Sequence, residues 1–301
     1  MQDQQQTMAS PVIFDRALLR ARRRRAEALV PADFLLARVA EDVAERLATV
    51  TRHFDIAVDL GTPGDHVHRV LAASGKVGTL ITAEPLARSP LGVAADDEAL
   101  PFRDASLDLV VSGLSLQFVN DLPGTLIQIR RALKPDGLFL AALLGGDTLT
   151  ELRQSFAEAE AETEGGVSPR VAPFPDLRDL GALLQRAGFA LPVTDVERVT
   201  VRYGTVFSLM QDLRRMGATN ALVERRRTPL KRRTLMRLVE IYDQRFTDPD
   251  GRLRATFEII WLSGWAPDVS QQKPLQPGSA KMRLADALGT KEISAGEKTR
   301  R

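Results

Sequence analysis

Between Phe54 and Leu144 the sequence alternates short apolar runs with stretches of helical period, and this alternation constrains the fold more than any other feature. FDIAVDL (54–60), VGTLITAE (77–84), SLDLVVSGLSL (106–116) and LFLAALL (138–144) read as strands. DHVHRVLAAS (65–74) and DLPGTLIQIRRAL (121–133) read as helices, the second stopped by KPDG. Mostly apolar strands separated by helices are buried on both faces, which requires a parallel sheet with helices on each side. The expected fold class is α/β, a doubly wound Rossmann-like sheet.

The flanking segments extend this core. Residues 13–53 read as N-terminal helices, because Leu35, Val39, Val43 and Leu47 recur on one helical face. The cofactor-binding core is expected at 54–146. Two helices follow within 147–188, separated by the loop EGGVSPRVAPFP (164–175), the second capped by Gly188. VTDVERVTVRY (193–203) and ATFEIIWLSGW (255–265) read as the last two strands, with a helical insertion at 205–247 arching over the ligand side as a lid. One domain over 13–267 is expected, between a disordered start (1–12) and a flexible polar tail (268–301).

Composition excludes several chemistries. The chain has no cysteine, which removes disulfides, thiolate metal sites and cysteine nucleophiles. No stretch of about 18 apolar residues suggests a transmembrane segment. The opening MQDQQQTMAS lacks the apolar core of a secretory signal, so the expected compartment is the cytoplasm. Arginine is clustered at Arg22–Arg25 and in ERRRTPLKRR (224–233). These read as solvated helix faces; the alternative is contact with an acidic partner or a peripheral contact with an anionic membrane. Neither cluster is interleaved with aromatic residues, so no nucleic acid is expected as a partner.

In an open α/β sheet the ligand lies beyond the carboxyl ends of the strands, where strand order reverses. Polar residues stand at four such ends: Asp59-Leu60-Gly61, Glu84, the Asp96-Asp97 pair in AADDEALPF (94–102), and Ser112 to Gln117. Together with DLVVSGLSLQFVNDLP and IRRALKPDGLFLAALLGGDTLTELR, this pattern resembles the class I S-adenosylmethionine-dependent methyltransferases. More narrowly, FDR (14–16), GGDTLTELR (145–153), EGGVSPRVAPF (164–174) and MGATNA (216–221) resemble a bacterial version of the methyltransferase-like assembly factors of respiratory complex I.

The resemblance covers roughly Ile13 to Pro267. It implies a seven-stranded class I methyltransferase sheet with S-adenosylmethionine as cofactor. Asp59, Gly61 and Gly64 would form the turn near the methionine end, Glu84 would bind the ribose, Asp96 and Asp97 the adenine, and Ser112 would line the methionine end. It also implies a complex I subunit, or another protein, as substrate. That family is described as hydroxylating an arginine; no oxygen-activating set of residues is spelled out in this sequence.

The family turn is Asp-x-Gly-x-Gly-x-Gly, and here Pro63 and Asp65 replace two glycines. Proline fixes φ near −65° and lacks a donor; Asp65 is expected to cap the following helix. A retained and a lost cofactor site both stay open at this point. On the substrate side the candidates are Gln117, Asp147, Arg153 and Tyr203, with Trp261 read as core rather than site. His53, His66 and His68 are expected away from the cavity mouth, with no metal site. No catalytic residue is assigned. Two other functions stand beside the first: a malonyl-carrier-protein or other small-acid O-methyltransferase, suggested by LSLQFVNDLP and TELRQSF, and a non-catalytic assembly scaffold with a degenerate cofactor loop.

Overall fold

The computed structural model describes residues 12–85, 92–272, 279, 282 and 284–291. The expected disordered start falls, apart from Val12, outside the described residues, as does much of the tail. The chain divides into two units, 1–267 and 268–301; within the second, the described residues include one short helix, Leu284–Leu288.

The first unit is built on a seven-stranded sheet: β1 (Phe54–Leu60), β2 (Val77–Glu84), β3 (Gly92–Ala94), β4 (Leu107–Gly113), β5 (Leu133–Leu144), β6 (Ala190–Tyr203) and β7 (Leu253–Trp265). Their order is β3-β2-β1-β4-β5-β7-β6. The first five strands pair in parallel, and β7 runs antiparallel between β5 and β6. Strand order reverses between β1 and β4, so the carboxyl ends of β1, β2 and β4 surround the switch-point crevice.

Helices cover both faces. On one, α2 (Phe34–Thr49) turns Leu35, Val39, Val43 and Leu47 inward, each no more than 4% exposed. Full burial of such a side chain contributes about 1.5–3 kcal/mol. α5 (Thr150–Glu164) and α8 (Arg232–Phe246) extend this layer. On the other face, α4 (Leu122–Ala132) and α6 (Leu177–Arg186) contribute Leu126, Ile129, Leu180 and Leu184, all fully buried. α1 (Arg16–Ala26) and α7 (Val206–Arg215) meet each other beside the crevice, and α3 (His66–Ala73) follows the turn after β1.

Some elements differ from the sequence expectation, for local reasons. The N-terminal helical pattern breaks at 27–33, where Pro31 lies, into α1 and α2. β3 has three residues, too few for a period to be read. KPDG lies within β5 rather than forming a stop after α4. The basic segment after β6 is not one helix: Gly217, at φ +66°, ends α7, and residues 216–231 contain no helix. The second arginine cluster is therefore largely loop, not helix face. Arg226 and Lys231 both pair with Glu164 at the end of α5, at 2.9 and 2.8 Å. The fully buried Glu160 of α5 accepts from Arg170 Nε at 2.7 Å and from Ser168, anchoring the loop after α5. Among the described residues no helix is long and apolar enough to cross a membrane.

Candidate functional site

The turn after β1 is held from both sides of the switch point. Gly61 N–H donates to Ala83 O at 2.7 Å, Ser112 Oγ donates to Leu60 O at 2.7 Å, and Gly113 N–H donates to Thr62 Oγ1 at 2.8 Å. The chain takes a left-handed conformation twice in this turn, at Gly61 (φ +67°) and Gly64 (φ +73°), and both positions are glycine. Asp65 is at φ −125°, so losing glycine there costs the backbone nothing. Asp65 stands at the N-cap position without capping, and pairs instead with Arg69 at 3.0 Å, contrary to expectation.

A cavity of about 320 Å³ opens over this turn, within the range of small-molecule sites. Gly61, Gly64, Glu84, Asp97, Ser115 and Gln117 line it. A Cβ on Gly61 would stand 2.6 Å from Ser115 Oγ and 2.8 Å from Asp97 Oδ1. Neither of these two atoms has a hydrogen-bond partner within the protein, nor does Gln117 Oε1, whose own amide donates to Leu114 O at 2.8 Å. Buried polar atoms are almost always paired, so three such atoms around one cavity mark a place where a polar ligand would complete the bonding.

Electrostatics accentuate the pattern. Asp59, 1% exposed beneath the turn, has both carboxylate oxygens unpartnered. Burial, opposed by the nearby Thr62 hydroxyl and reinforced weakly by the Glu84 carboxylate, pushes its pKa up to about 7. Burial also raises the Asp97 carboxyl above the usual range, against the pull of Arg23 and Arg16. Two leucines of the lining, Leu114 (φ +49°) and Leu149 (φ +55°), are held in the left-handed region, which costs a non-glycine residue about 1–2 kcal/mol. Their N–H groups donate to Ala142 O and Thr256 O at 2.8 and 2.7 Å, and these bonds hold them there. Strain of this kind concentrates at functional sites.

The other sequence candidates are spread more widely. Asp96 does not line the cavity: its carboxylate pairs with Arg16 and accepts from Glu98 N–H at 2.9 Å. Ser112 is buried under Leu60 as a peg for the turn, and its neighbour three residues on, Ser115, faces the cavity instead. Asp147 pairs with Arg198, Arg153 donates to Gly146 O and Thr148 O at 3.2 Å, and Tyr203 is buried at the end of β6; none of the three lines the cavity. Trp261 is 2% exposed, with the Arg46 guanidinium 4.4 Å from its ring centre.

Three contributors were missed. Arg16, from α1, bridges Asp96, Asp97 (3.5 Å) and Glu98 (3.1 Å) across 80 residues of sequence; no local pattern signals such a contact. Asp33 and His66 meet at the cavity wall, Nε2 to Oδ2 at 2.7 Å, and this bond lowers the Asp33 pKa. His66 therefore departs from the expectation for the histidines, because α3 starts directly at the turn and its first residue faces the cavity. His68 turns to Thr82, at 3.1 Å.

A family model described as a methyltransferase domain matches residues 58–141. The protein named arginine-hydroxylase NDUFAF5, mitochondrial, of Danio rerio is 38% identical over 288 residues, covering 91% of this chain and 89% of that protein. A malonyl-[acyl-carrier protein] O-methyltransferase of Laribacter hongkongensis is 42% identical over 192 residues, 64% of this chain and 62% of that protein. Among solved structures, a Bacillus halodurans C-125 protein named as a methyltransferase superposes with a TM-score of 0.51 at 16% identity, over 75% of this chain and 98% of that one, which shows the shared fold.

Proposed function

The chain belongs to the arginine-hydroxylase NDUFAF5 family, and on that premise we propose that it is an S-adenosylmethionine-binding enzyme that modifies a protein side chain during assembly of respiratory complex I. The observation that carries the cofactor half is the convergence of two unpartnered buried atoms, Ser115 Oγ and Asp97 Oδ1, on the bare Cα of Gly61. This is a cradle that a single Cβ would fill, and it fits a ligand with both donors and acceptors. S-adenosylmethionine, when bound, supplies a methyl group activated by its sulfonium.

The residues divide the work. Gly61 and Gly64 keep the turn open to the ligand. Glu84, at the end of β2, accepts from ribose hydroxyls. Asp97 takes the adenine side in place of Asp96, whose carboxylate Arg16 already holds. Ser115 and Gln117 offer polar atoms at the methionine end, and Leu114 and Leu149 exclude water. The acids of the lining, Asp65, Glu84 and Asp97, can offset a sulfonium charge, while Arg16, Arg20, Arg23 and Arg215 stand in the same lining.

The protein-substrate half rests on coverage. Likeness to the NDUFAF5 protein runs through 91% of this chain and includes the segments around the core, while likeness to the malonyl-carrier enzyme stops at 64%. The compartment we propose is the cytoplasm; the NDUFAF5 relative is mitochondrial by name.

Deletion of the gene, followed by mass spectrometry of arginine-containing peptides from complex I subunits, tests the proposal. We expect one peptide to lose the mass of an added oxygen or an added methyl group in the deletion strain, with NADH-driven respiration impaired. Intact respiration and unchanged peptides, with growth that now requires biotin, would contradict it and favour the malonyl-carrier reading.

A further inference from the structure

The two arginine clusters, 200 residues apart in sequence, form one surface. Arg22, on α1, donates to Asn220 O, and Arg225 pairs with Asp15 at 3.2 Å, directly before α1. Arg22 is close enough to Arg225 and Arg25 that burial and their like charge lower its pKa. Arg23 packs its backbone against Gly217, beyond the last turn of α7, which carries Arg214 and Arg215. The surface is continuous with the candidate site, since Arg20, Arg23 and Arg215 line the cavity.

Acids at this rim are fewer than the arginines: Asp15, Glu27, Asp212 and the exposed Glu224. Asp15 caps α1 and pairs with Arg225, and Asp212 pairs with Arg215 at 3.4 Å. The side chains of Arg24, Arg214 and Arg227 are exposed and make no ion pair or hydrogen bond with other described residues, although Asp15 feels the charge of Arg227; the Arg25 side chain bonds to Ala21 O of its own helix, at 3.4 Å. Like charges that outnumber their counter-ions repel one another, and an anionic partner relieves that repulsion.

Resting on the proposed modification of a protein side chain, we infer that this arginine rim docks an acidic segment of the substrate protein, so that the neighbouring side chain enters the cavity. The anion is a polypeptide for two reasons. α1 turns Leu19 and Ala26 inward and presents arginine to solvent, without the exposed apolar face that lays a helix on a membrane. The arginine clusters are also not interleaved with the aromatic residues on which nucleic-acid bases stack. Opposite charge at a rim sets encounter rate and orientation, which places a side chain at the mouth without requiring a deep peptide groove.

Fluorescence anisotropy with a short labelled poly-Glu peptide tests this, against a Gly/Ser peptide of equal length, anionic phosphatidylserine vesicles and duplex DNA as competitors. The full chain is expected to bind poly-Glu roughly tenfold or more above the neutral peptide, with affinity falling steeply with salt. Reversal of Arg24, Arg214 and Arg227 to Glu should lower that affinity about tenfold, while reversal of Arg178 and Arg186, on α6, should leave it unchanged. S-adenosylhomocysteine affinity, measured in parallel, should not change in either variant. Equal binding of both peptides, equal loss in the control variant, or displacement of poly-Glu by vesicles or DNA at lower concentration would overturn the inference. Loss of nucleoside binding in the unaltered chain would overturn the cofactor reading instead.

Discussion

Replacing Gly61 by alanine is expected to weaken S-adenosylhomocysteine binding at least about 100-fold, which corresponds to about 2.7 kcal/mol, while the protein stays folded. The added methyl would stand 2.6 Å from Ser115 Oγ and 2.8 Å from Asp97 Oδ1, so both side chains must be displaced from the cavity wall. Alanine at φ +67° adds about 1–2 kcal/mol of backbone strain. Gly64→Ala separates the two effects. Its φ of +73° imposes similar strain, but nothing lies within 4 Å of the new Cβ, so stability should fall by about as much while affinity falls less than about tenfold. Equal affinities in the two variants, read by calorimetry, would show that Gly61 is not the point of closest approach.

Asp59→Asn is expected to stabilise the protein at pH 8 and not at pH 4. The buried Asp59 carboxyl is raised from 3.8 to about 7. Between those values the native state holds a proton that the unfolded chain has released, so stability falls as pH rises through this window and levels off above it. The full shift corresponds to about 4 kcal/mol. Asparagine removes the titration but leaves an unpartnered amide, so the gain at pH 8 should be smaller, a melting temperature about 2–5 °C higher. Thermal unfolding at both pH values checks this; the same difference at each would mean that burial of the charge is not what strains the site. A carboxylate retained at such a cost beneath the ligand turn is consistent with a functional demand rather than a structural one.

How far the sequence reveals this depends on whether a contact is local. The strands were legible because buried parallel strands are apolar along their length, and Gly61, Glu84 and Asp97 followed, since ligands sit beyond strand ends. Arg16 and the Asp33–His66 pair were not, because each contact joins segments whose approach only the folded chain defines. Ser112 and Ser115 are indistinguishable by residue type; the first ends β4 and bonds back to Leu60, the second follows a left-handed Leu114 that redirects the chain. Asp147 and Arg153 have the chemistry of a substrate clamp, but their partners are Arg198 and backbone carbonyls of their own segment. The arginine clusters carried charge but no position: that α1 and the loop after α7 form one rim is a property of the tertiary structure.

The proposed function requires that the turn through Gly61, with Pro63 and Asp65 in place of glycines, still hold S-adenosylmethionine. The direct test is calorimetric titration of the unaltered chain with S-adenosylhomocysteine, with Glu84→Ala alongside. Micromolar binding, about −8 kcal/mol, lost in the variant, is expected. No heat and no rise in melting temperature at millimolar ligand would contradict it and leave the fold as a scaffold.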